Sequence, residues 1–393
     1  MEKKIDRVGV IGGGQLAWML ATSARALGLM VVVQTPSADD PAVGLAAAWV
    51  RGEVTDAIAT AQLSQAVDVI TFENEFVDLA ALKPLEQQGV RFSPCLGAIA
   101  PVLDKFHQRS FFRTHRVPTP RFVDLSPQPT TNERSQMGFP VVMKARRHGY
   151  DGYGTFICAT DSELVQRLHE SPEQTWLLEE FVPFERELAV MAARSSTGEI
   201  AVYPVVETQQ DPKSQVCRVV YALDEWPDAI TKSVQAIAHA LLTALNYVGI
   251  LGIELFLTAD GAVLVNEIAP RTHNSGHYTL DACATSQFEQ QLRAVCGLPL
   301  GDTALIPAGA VMVNLLGFES AESDYAGLRQ QIAALPHTRV YWYGKAEARP
   351  GRKLGHVTTR LQPGQQRADA AAIAHQIEAL WYGAVQSPGR AAG

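Results

Sequence analysis

The stretch from Gly252 to Thr279 constrains the fold most, because it predicts a β-hairpin with two facing carboxylates. Its two apolar, β-branched runs flank Asp260-Gly261, the strongest short-range signal for a two-residue type I′ turn. With these two residues as the loop, Glu254 pairs with Glu267 on one face. Such carboxylates repel unless a cation neutralises them, and Mg²⁺ carrying nucleotide phosphates fits that need. For the pair alone, a solvated sheet face stays open as the alternative.

The segment after the hairpin is crowded with hydrogen-bond donors and holds few residues able to build a core. Pro270 and Gly276 frame it as a fixed loop. The polar side chains are Asn266, Arg271, His273, Asn274, Ser275 and His277. Their density beside two acids predicts an anionic ligand next to the metal.

Length and charge bound the class of protein. With 393 residues, the chain is long enough for two or three domains with separate cores. Its net charge of -8 argues against a general nucleic-acid binder. The start does not resemble a signal peptide, and no apolar run approaches the length of a membrane span. Five scattered cysteines without a C-x-x-C motif favour a reduced cytoplasm.

The chain begins with a predicted βαβ unit. A buried strand from Arg7 to Gly12 leads through a G-x-G-x-x-A turn into a helix. A dinucleotide site would need an acid at the end of the second strand, where Gln34 stands, so NAD binding is disfavoured. The turn can still hold a phosphate at the helix N-terminus. Glu73 follows a later strand, at the edge where α/β sheets bind ligands, although a solvated strand end is equally compatible.

A second phosphate-binding signal lies in the middle of the chain. Lys144 stands on a predicted buried strand and precedes a glycine-rich loop, an arrangement that holds phosphates in several nucleotide enzymes. A surface hairpin with a solvated lysine is the alternative for the loop alone. Glu187, on a later strand, has the alternation expected of a ribose ligand. Near the C-terminus, Lys345 and Arg352 belong to a basic loop, and its charge predicts contact with an anion. A solvated basic turn is the alternative for this loop.

In this order, these features resemble the ATP-grasp superfamily, in which two α+β subdomains close over Mg-ATP. Within it, the motifs GYDG, NEIAPRTHNSGHYT and YGKAEARPGRKLGHV resemble the 5-(carboxyamino)imidazole ribonucleotide synthase family, over about Val8 to His356. The resemblance implies an α/β and α+β fold. Its parts would be a Rossmann-like (pre-ATP-grasp) domain over 1–100, an ATP-grasp domain over 101–300, a small β-rich domain over 301–386, and a disordered tail over 387–393.

The resemblance also implies residue roles. ATP would be held by Lys105, Lys144, Gly149, Tyr150, Asp151, Gly152, Tyr153, Gly154, Thr155, Glu179, Glu180, Phe181, Val182, Glu187, Gln210, Asn266 and Glu267. Mg²⁺ would be bound by Glu254 and Glu267. The ribonucleotide would contact Gln15, Leu16, Glu73, Arg271, His273, Asn274, Ser275, Lys345 and Arg352. The implied catalytic residues are Asp151 as the base, with Lys345 and Arg352.

The implied reaction is an ATP- and bicarbonate-dependent carboxylation of 5-aminoimidazole ribonucleotide through carboxyphosphate, in a cytoplasmic homodimer that binds neither nucleic acid nor membrane. Three alternatives stay open. One is another ATP-grasp ligase, such as the formate-dependent glycinamide ribonucleotide enzyme. The second is an NAD-dependent oxidoreductase, which would have to bind nicotinamide despite Gln34. The third is an inactive ATP-binding regulator, against which the retention of Lys144, Glu254 and Glu267 argues.

Overall fold

A computed structural model describes residues 4–125, 129–147, 154–211, 215–306 and 308–383. The predicted loop residues Gly149, Tyr150, Asp151, Gly152 and Tyr153 lie outside these ranges, as does the predicted tail. Among the described residues, no helix has the length and apolarity needed to cross a membrane.

The N-terminal part is a parallel sheet with helices packed against it. Its elements are β1 (Arg7–Ile11), α1 (Gln15–Ala26), β2 (Met30–Thr35), β3 (Ala48–Arg51), α2 (Ala57–Ala66), β4 (Val69–Phe72), α3 (Leu79–Gln87) and α4 (Leu96–Ile99). The strand order is β3-β2-β1-β4. Helix α1 ends where Gly28 takes a positive φ of 68°, as its sequence predicts. Phe92 extends the sheet beyond β4 by one parallel bridge with Ile70.

The next part is a small antiparallel sheet. A 3-10 turn (Ala100–Val102) leads into α5 (Lys105–Thr114), β5 (Phe122–Asp124), α6 (Thr131–Ser135), β6 (Val141–Ala145), β7 (Thr155–Cys158), α7 (Asp161–Glu170) and β8 (Trp176–Glu180). The strand order is β5-β8-β6-β7. Strand β6 carries Lys144, whose side chain is buried as predicted.

The remaining strands build one long sheet. Its first half contains β9 (Phe184–Arg194), β10 (Ile200–Val202), β11 (Val206–Gln210), β12 (Cys217–Ala222), α8 (Asp228–Ala244), β13 (Gly249–Thr258) and β14 (Val263–Ala269). A 3-10 turn (Asn274–Gly276), α9 (Thr279–Ala282) and α10 (Gln287–Val295) follow. The last elements are β15 (Ala310–Leu316), α11 (Ala326–Ala333), β16 (Thr338–Trp342), β17 (Lys353–Arg360) and α12 (Arg367–Tyr382).

The C-terminal strands continue this sheet instead of forming a separate one. The order is β14-β13-β9-β11-β12-β15-β17-β16, with β10 paired to β9. Strand β15 pairs with β12 and thereby covers an edge that would otherwise expose unpaired backbone groups. Helix α10 packs its apolar residues Phe288, Leu292 and Val295 with Leu16 and Leu20 of α1. This contact brings the N-terminal turn to the long sheet.

The hairpin of β13 and β14 confirms the facing glutamates but corrects the turn. Thr258 N donates to Ala262 O at 3.0 Å, so the loop has three residues with Gly261 at φ 83°, not the predicted two. Near the turn, Leu255 therefore pairs with Val265. A β-bulge then inserts Asn266, and this restores the pairing of Glu254 with Glu267. The longer loop and the bulge each shift the register by one residue, and the two shifts cancel at Glu254 and Glu267.

Candidate active site

A cleft of about 510 Å³ lies among the described residues and gathers most of the predicted site residues. Its walls come from the N-terminal turn, the small sheet and the long sheet. The predicted residues that line it are Gln15, Leu16, Glu73, Lys144, Thr155, Glu179, Glu180, Phe181, Val182, Glu187, Gln210, Glu254, Asn266, Glu267, Arg271, His273 and Asn274. Lys105, Gly154, Ser275, Lys345 and Arg352 were also predicted and are not part of its lining.

The two facing carboxylates differ in their affinity for protons. Burial, with the nearby Glu267 and Glu187, raises the pKa of Glu254 to about 7. Burial also raises the pKa of Glu267, but Lys105 outweighs it and the net pKa lies below the usual value. Lys105 Nζ lies 2.6 Å from Glu267 Oε2. A site that must neutralise two such carboxylates suits a hard divalent cation.

Lys144 is held in place by other cleft residues. Its Nζ lies 2.8 Å from Glu179 Oε2 and donates to Asn266 Oδ1 at 2.9 Å. The Glu179 carboxylate, which the sequence assigns to ATP, is taken up by this contact and by Arg109 at 2.6 Å. Burial raises the pKa of Glu179, but Arg109 and Lys144 lower it to about 2.

Arg109, which contacts Glu179 behind the cleft wall, is one residue that the sequence assignment misses. Its side chain is only 2% exposed, although the residue stands in a helix with charged neighbours. The available signal is its position on the helix face of Phe112, because a charge on an apolar stripe predicts a buried partner.

Strands β9 and β11 bring two of the predicted ATP-binding residues, Glu187 and Gln210, to the same part of the cleft as Lys144. Burial raises the pKa of Glu187, although a hydrogen bond from Gln210 opposes the effect. Phe184 and Phe256 stack nearby with ring centroids 4.7 Å apart and line the same cleft. The Glu180 side chain, in contrast, accepts from Arg121 Nε at 2.6 Å.

The second half of the cleft lies at the glycine-rich turn. Burial raises the pKa of Glu73 to about 7, although Arg271 lowers it. A Cβ atom at position 14 would come within 2.5 Å of Glu73 Oε1, so glycine allows the carboxylate to approach the turn. Arg271 meets Glu75 through two contacts, of 2.5 and 3.0 Å.

The donor-rich loop after the hairpin is more buried than its sequence predicts. His273 lies 3.4 Å from Glu254 Oε1 and contacts Ser275 Oγ at 2.9 Å. The Asn274 side chain is committed to Asn314, with amide contacts of 2.9 and 2.7 Å. His277, which the sequence places among the ligand donors, is fully buried and packs against Phe288 and His356.

The basic loop near the C-terminus contributes a different cation from those predicted. Lys345 Nζ donates to Lys353 O at 2.8 Å, and Arg352 Nη1 donates to Glu347 O at 2.7 Å. Lys353 lines the cleft, whereas Lys345 and Arg352 do not. Lys353 is the first residue of β17, where it pairs with Leu316 of β15.

The N-terminal turn does not have a dinucleotide-type second strand. Gln34 is fully buried and its Nε2 donates to Glu53 O at 2.7 Å and Asp56 O at 3.1 Å. Its Oε1 accepts from Thr60 Oγ1 at 2.8 Å. The side chain that replaces the ribose-binding acid is therefore occupied by the protein itself.

Comparison with known proteins extends over nearly the whole chain. Residues 5–101 match a family model of the ribonucleotide synthetase preATP-grasp domain, and residues 110–288 match the ATP-grasp domain. Residues 310–370 match the phosphoribosylaminoimidazole carboxylase C-terminal domain. The N5-carboxyaminoimidazole ribonucleotide synthase of Synechococcus elongatus is 56% identical over 96% of each chain.

Two solved structures have the same fold. The carboxyaminoimidazole ribonucleotide synthase of Aspergillus clavatus, in complex with ATP, has a TM-score of 0.88 and 31% identity over 95% of this chain and 98% of that one. The N5-carboxyaminoimidazole synthase of the same organism, with ADP and 5-aminoimidazole ribonucleotide, has a TM-score of 0.87 and 30% identity, with the same coverage.

The fold, the cleft and these matches define an ATP-grasp enzyme, a ligase that binds ATP. The chain belongs to the N5-carboxyaminoimidazole ribonucleotide synthase family. The reaction predicted from the sequence, ATP-dependent carboxylation of 5-aminoimidazole ribonucleotide in purine biosynthesis, is confirmed at the level of this family.

Proposed function

We propose that the cleft carboxylates 5-aminoimidazole ribonucleotide with bicarbonate, ATP and Mg²⁺, through carboxyphosphate. The observation that carries this proposal is the position of Glu254 and Glu267. They stand in one cleft with the buried Lys144 and with Arg271 and Glu73. A γ-phosphate held at the carboxylates would therefore face the ribonucleotide half.

The ATP half uses cations and a protein-lined slot. Lys144 and Lys105 would meet phosphate oxygens, and residues Gly149 to Thr155 would add contacts to ATP, a role that rests on the family resemblance. Glu179 to Val182 and Gln210 would border the adenine ring of ATP. Glu187 would accept hydrogen bonds from the ribose hydroxyls. The stacked Phe184 and Phe256 provide an apolar surface on the same wall, which suits a purine ring.

The residues present fit a magnesium ion. Glu254 and Glu267 form a cross-strand pair whose two carboxylates offer the oxygen ligands that such an ion prefers. Burial in a cluster of like charges raises the pKa of Glu254, which is the expected condition of an acid whose counter-ion is a bound cation. When bound, the metal supplies positive charge that offsets the charge developing during phosphoryl transfer.

The ribonucleotide half is built from the N-terminal turn and the loop after the hairpin. Gln15, Leu16 and Glu73 would contact the aminoimidazole ribonucleotide on one side, with Arg271, His273, Asn274 and Ser275 on the other. Asp151 would take the amine proton, a role that rests on the family resemblance. Lys345 and Arg352 would reach the phosphate or the transferred carboxylate only if their loop moves, because neither lines the cleft.

We propose a cytoplasmic homodimer that acts on small molecules, an expectation supported by the family resemblance. Sedimentation velocity at micromolar concentration tests the assembly, with a single species at twice the chain mass as the expected result. A species at the chain mass would contradict it.

The decisive experiment measures ADP release from ATP, Mg²⁺ and bicarbonate. We expect turnover that rises only when aminoimidazole ribonucleotide is added. Glycinamide ribonucleotide with formate serves as the control for the nearest alternative ligase. Turnover only with the control pair would overturn the proposed acceptor, and no turnover with either would overturn the proposed activity.

A further inference from the structure

Four residues around the base of the cleft form a closed ring of hydrogen bonds. Arg109 Nε contacts Glu179 Oε1 at 2.6 Å, and Glu179 Oε2 contacts Lys144 Nζ at 2.8 Å. Lys144 Nζ donates to Asn266 Oδ1 at 2.9 Å, and Arg109 Nη2 donates to Asn266 O at 2.5 Å. The ring joins α5, β6, β8 and β14. We propose that Arg109 is a positioning residue, which sets both the phosphate-binding Lys144 and the metal-binding end of β14.

The charges of the ring explain why an arginine is needed. Glu179 is 2% exposed and is shared between two cations, so the ring holds a net charge of +1 in the cleft. Without Arg109, Glu179 and Lys144 would form a pair with no net charge. With Arg109, the three charged groups sum to +1, so an incoming phosphate meets a net positive site.

The geometry of the ring also requires an arginine. The guanidinium donates along two directions, to a carboxylate on β8 and to a carbonyl on β14. We call these two donor directions the guanidinium fork. Lysine has a point charge on a flexible side chain and cannot donate in both directions at once with the same fixed geometry. A ring built only for stability would not need these charges, because buried ion pairs are often replaced by apolar side chains without loss.

The contact with Asn266 links the ring to the metal carboxylates. Asn266 is the extra residue of the β-bulge, and it directly precedes Glu267. Neighbouring strand residues normally point to opposite faces, but both of these side chains line the cleft. By holding the carbonyl of the bulge residue, Arg109 fixes the conformation that lets Asn266 and Glu267 act on the same side.

The test compares Arg109→Met with a matched control, and it rests on the proposed role of Lys144 at the ATP phosphates. Arg134→Met is the control, because Arg134 also pairs with a carboxylate, Asp161, and neither residue lines the cleft. In Arg109→Met we expect the KM for ATP to rise about ten- to hundredfold, as for the loss of hydrogen bonds to charged groups. The KM for the ribonucleotide should stay within about twofold, and Arg134→Met should change neither value.

Arg109→Lys and Glu179→Gln separate positioning from stability. Lysine at position 109 restores charge but not the fork, so we expect no rescue of the KM for ATP. Glu179→Gln keeps the shape and removes the anion that orients Lys144, so it should raise the KM for ATP even if Arg109→Met does not fold. A folded Arg109→Met or Glu179→Gln enzyme with an unchanged KM for ATP would overturn the inference.

Lys144→Met distinguishes this inference from the proposed function. If Lys144→Met leaves the KM for ATP unchanged, the proposed role of Lys144 is wrong and the inference falls with it. If Lys144→Met raises the KM for ATP and Arg109→Met does not, only the positioning role of Arg109 is wrong.

Discussion

Glu254 and Glu267 show how one pair of like residues acquires two different states. Each side chain is a carboxylate on the same hairpin, and Lys105 forms its ion pair with Glu267. Burial raises the pKa of Glu254 to about 7, whereas the net pKa of Glu267 is lowered. The difference comes from the neighbours and not from the residue type, as is usual where carboxylates share a site.

Replacing Glu267 by glutamine should abolish turnover while leaving the fold intact. Glutamine has the same shape, but it removes the negative charge that we assign to the metal and that now pairs with Lys105. We expect at least a hundredfold loss of ADP release, an order of magnitude typical for the loss of charge stabilisation at a phosphoryl-transfer site. Circular dichroism monitors the fold. Activity near that of the unmodified enzyme would contradict the assignment of Glu267 as a metal ligand.

Glu73 should make the stability of the ligand-free protein depend on pH. Burial raises its pKa from 4.5 to about 7, so the folded state holds this proton more tightly than the unfolded chain. The resulting stabilisation is complete below about pH 4.5 and is lost as the pH rises through 7. We expect Glu73→Gln to match the unmodified protein near pH 4.5 and to be more stable by about 1 to 3 kcal/mol at pH 8.

Urea unfolding at several pH values measures this difference. The exposed Glu225→Gln is the control, and it should show no such trend. A difference between Glu73→Gln and the unmodified protein that is constant across pH would contradict the assignment.

The β-hairpin illustrates what an element adds to its residues. Its loop contains three residues, and Thr258 closes it through bonds with Ala262 and Gly261. Gly261 takes a left-handed conformation that other residues adopt only at a cost. The loop length and the bulge at Asn266 together set which side chains reach the cleft.

Gly261→Ala tests the backbone strain in this loop, and Gly327→Ala in helix α11 is its control. Nothing lies within 4 Å of an added Cβ at Gly261 or at Gly327, so steric clash is absent from both. Gly261→Ala should lower the free energy of unfolding by about 1 kcal/mol because its φ is positive. Gly327→Ala, in the exposed part of helix α11, should raise it by about 0.5 to 1 kcal/mol. Equal changes in thermal or urea denaturation would refute the argument from φ.

At the scale of the whole molecule, the cleft depends on all parts of the chain. The C-terminal strand β15 extends the long sheet, and its Asn314 holds the Asn274 side chain of the ligand loop. Helix α10 packs on α1, which sets the position of Gln15 and Leu16. Among the described residues, the lining of the cleft comes from the small and the long sheets and from the N-terminal turn.

Removing the Asn314 side chain should affect the ribonucleotide half alone. Asn314→Ala leaves the buried Asn274 amide and the Cys217 carbonyl without their bonds to it, at a cost of about 1 to 3 kcal/mol of stability. We expect the KM for the ribonucleotide to rise severalfold, with the KM for ATP unchanged.

The control for this change is Trp381→Phe, which loses the bond to Leu316 O in the C-terminal core. It should lower the stability without changing either KM. Equal changes of both KM values in Asn314→Ala would show that the effect spreads through the fold and not through Asn274.

The sequence by itself determined the features that depend on near neighbours. Apolar periodicity and turn residues located helix α1, the buried strand of Lys144 and the hairpin with Glu254 opposite Glu267. Short motifs identified the family, because their residues lie close together along the chain. These features are local, and local patterns are what sequence spacing encodes.

Only the tertiary structure decided the partners of the charged groups. Lys144 meets a residue 122 positions away, and Arg271 meets one 196 positions away. Arg109 meets Glu179, which lies 70 positions further along the chain, so neighbouring residues in the sequence do not indicate this contact. Lys353 lines the cleft, whereas the predicted Lys345 and Arg352 do not. Its position is set by the pairing of β17 with β15. Such contacts form between distant segments after folding, and the energy of burying a charge then decides which of them persist.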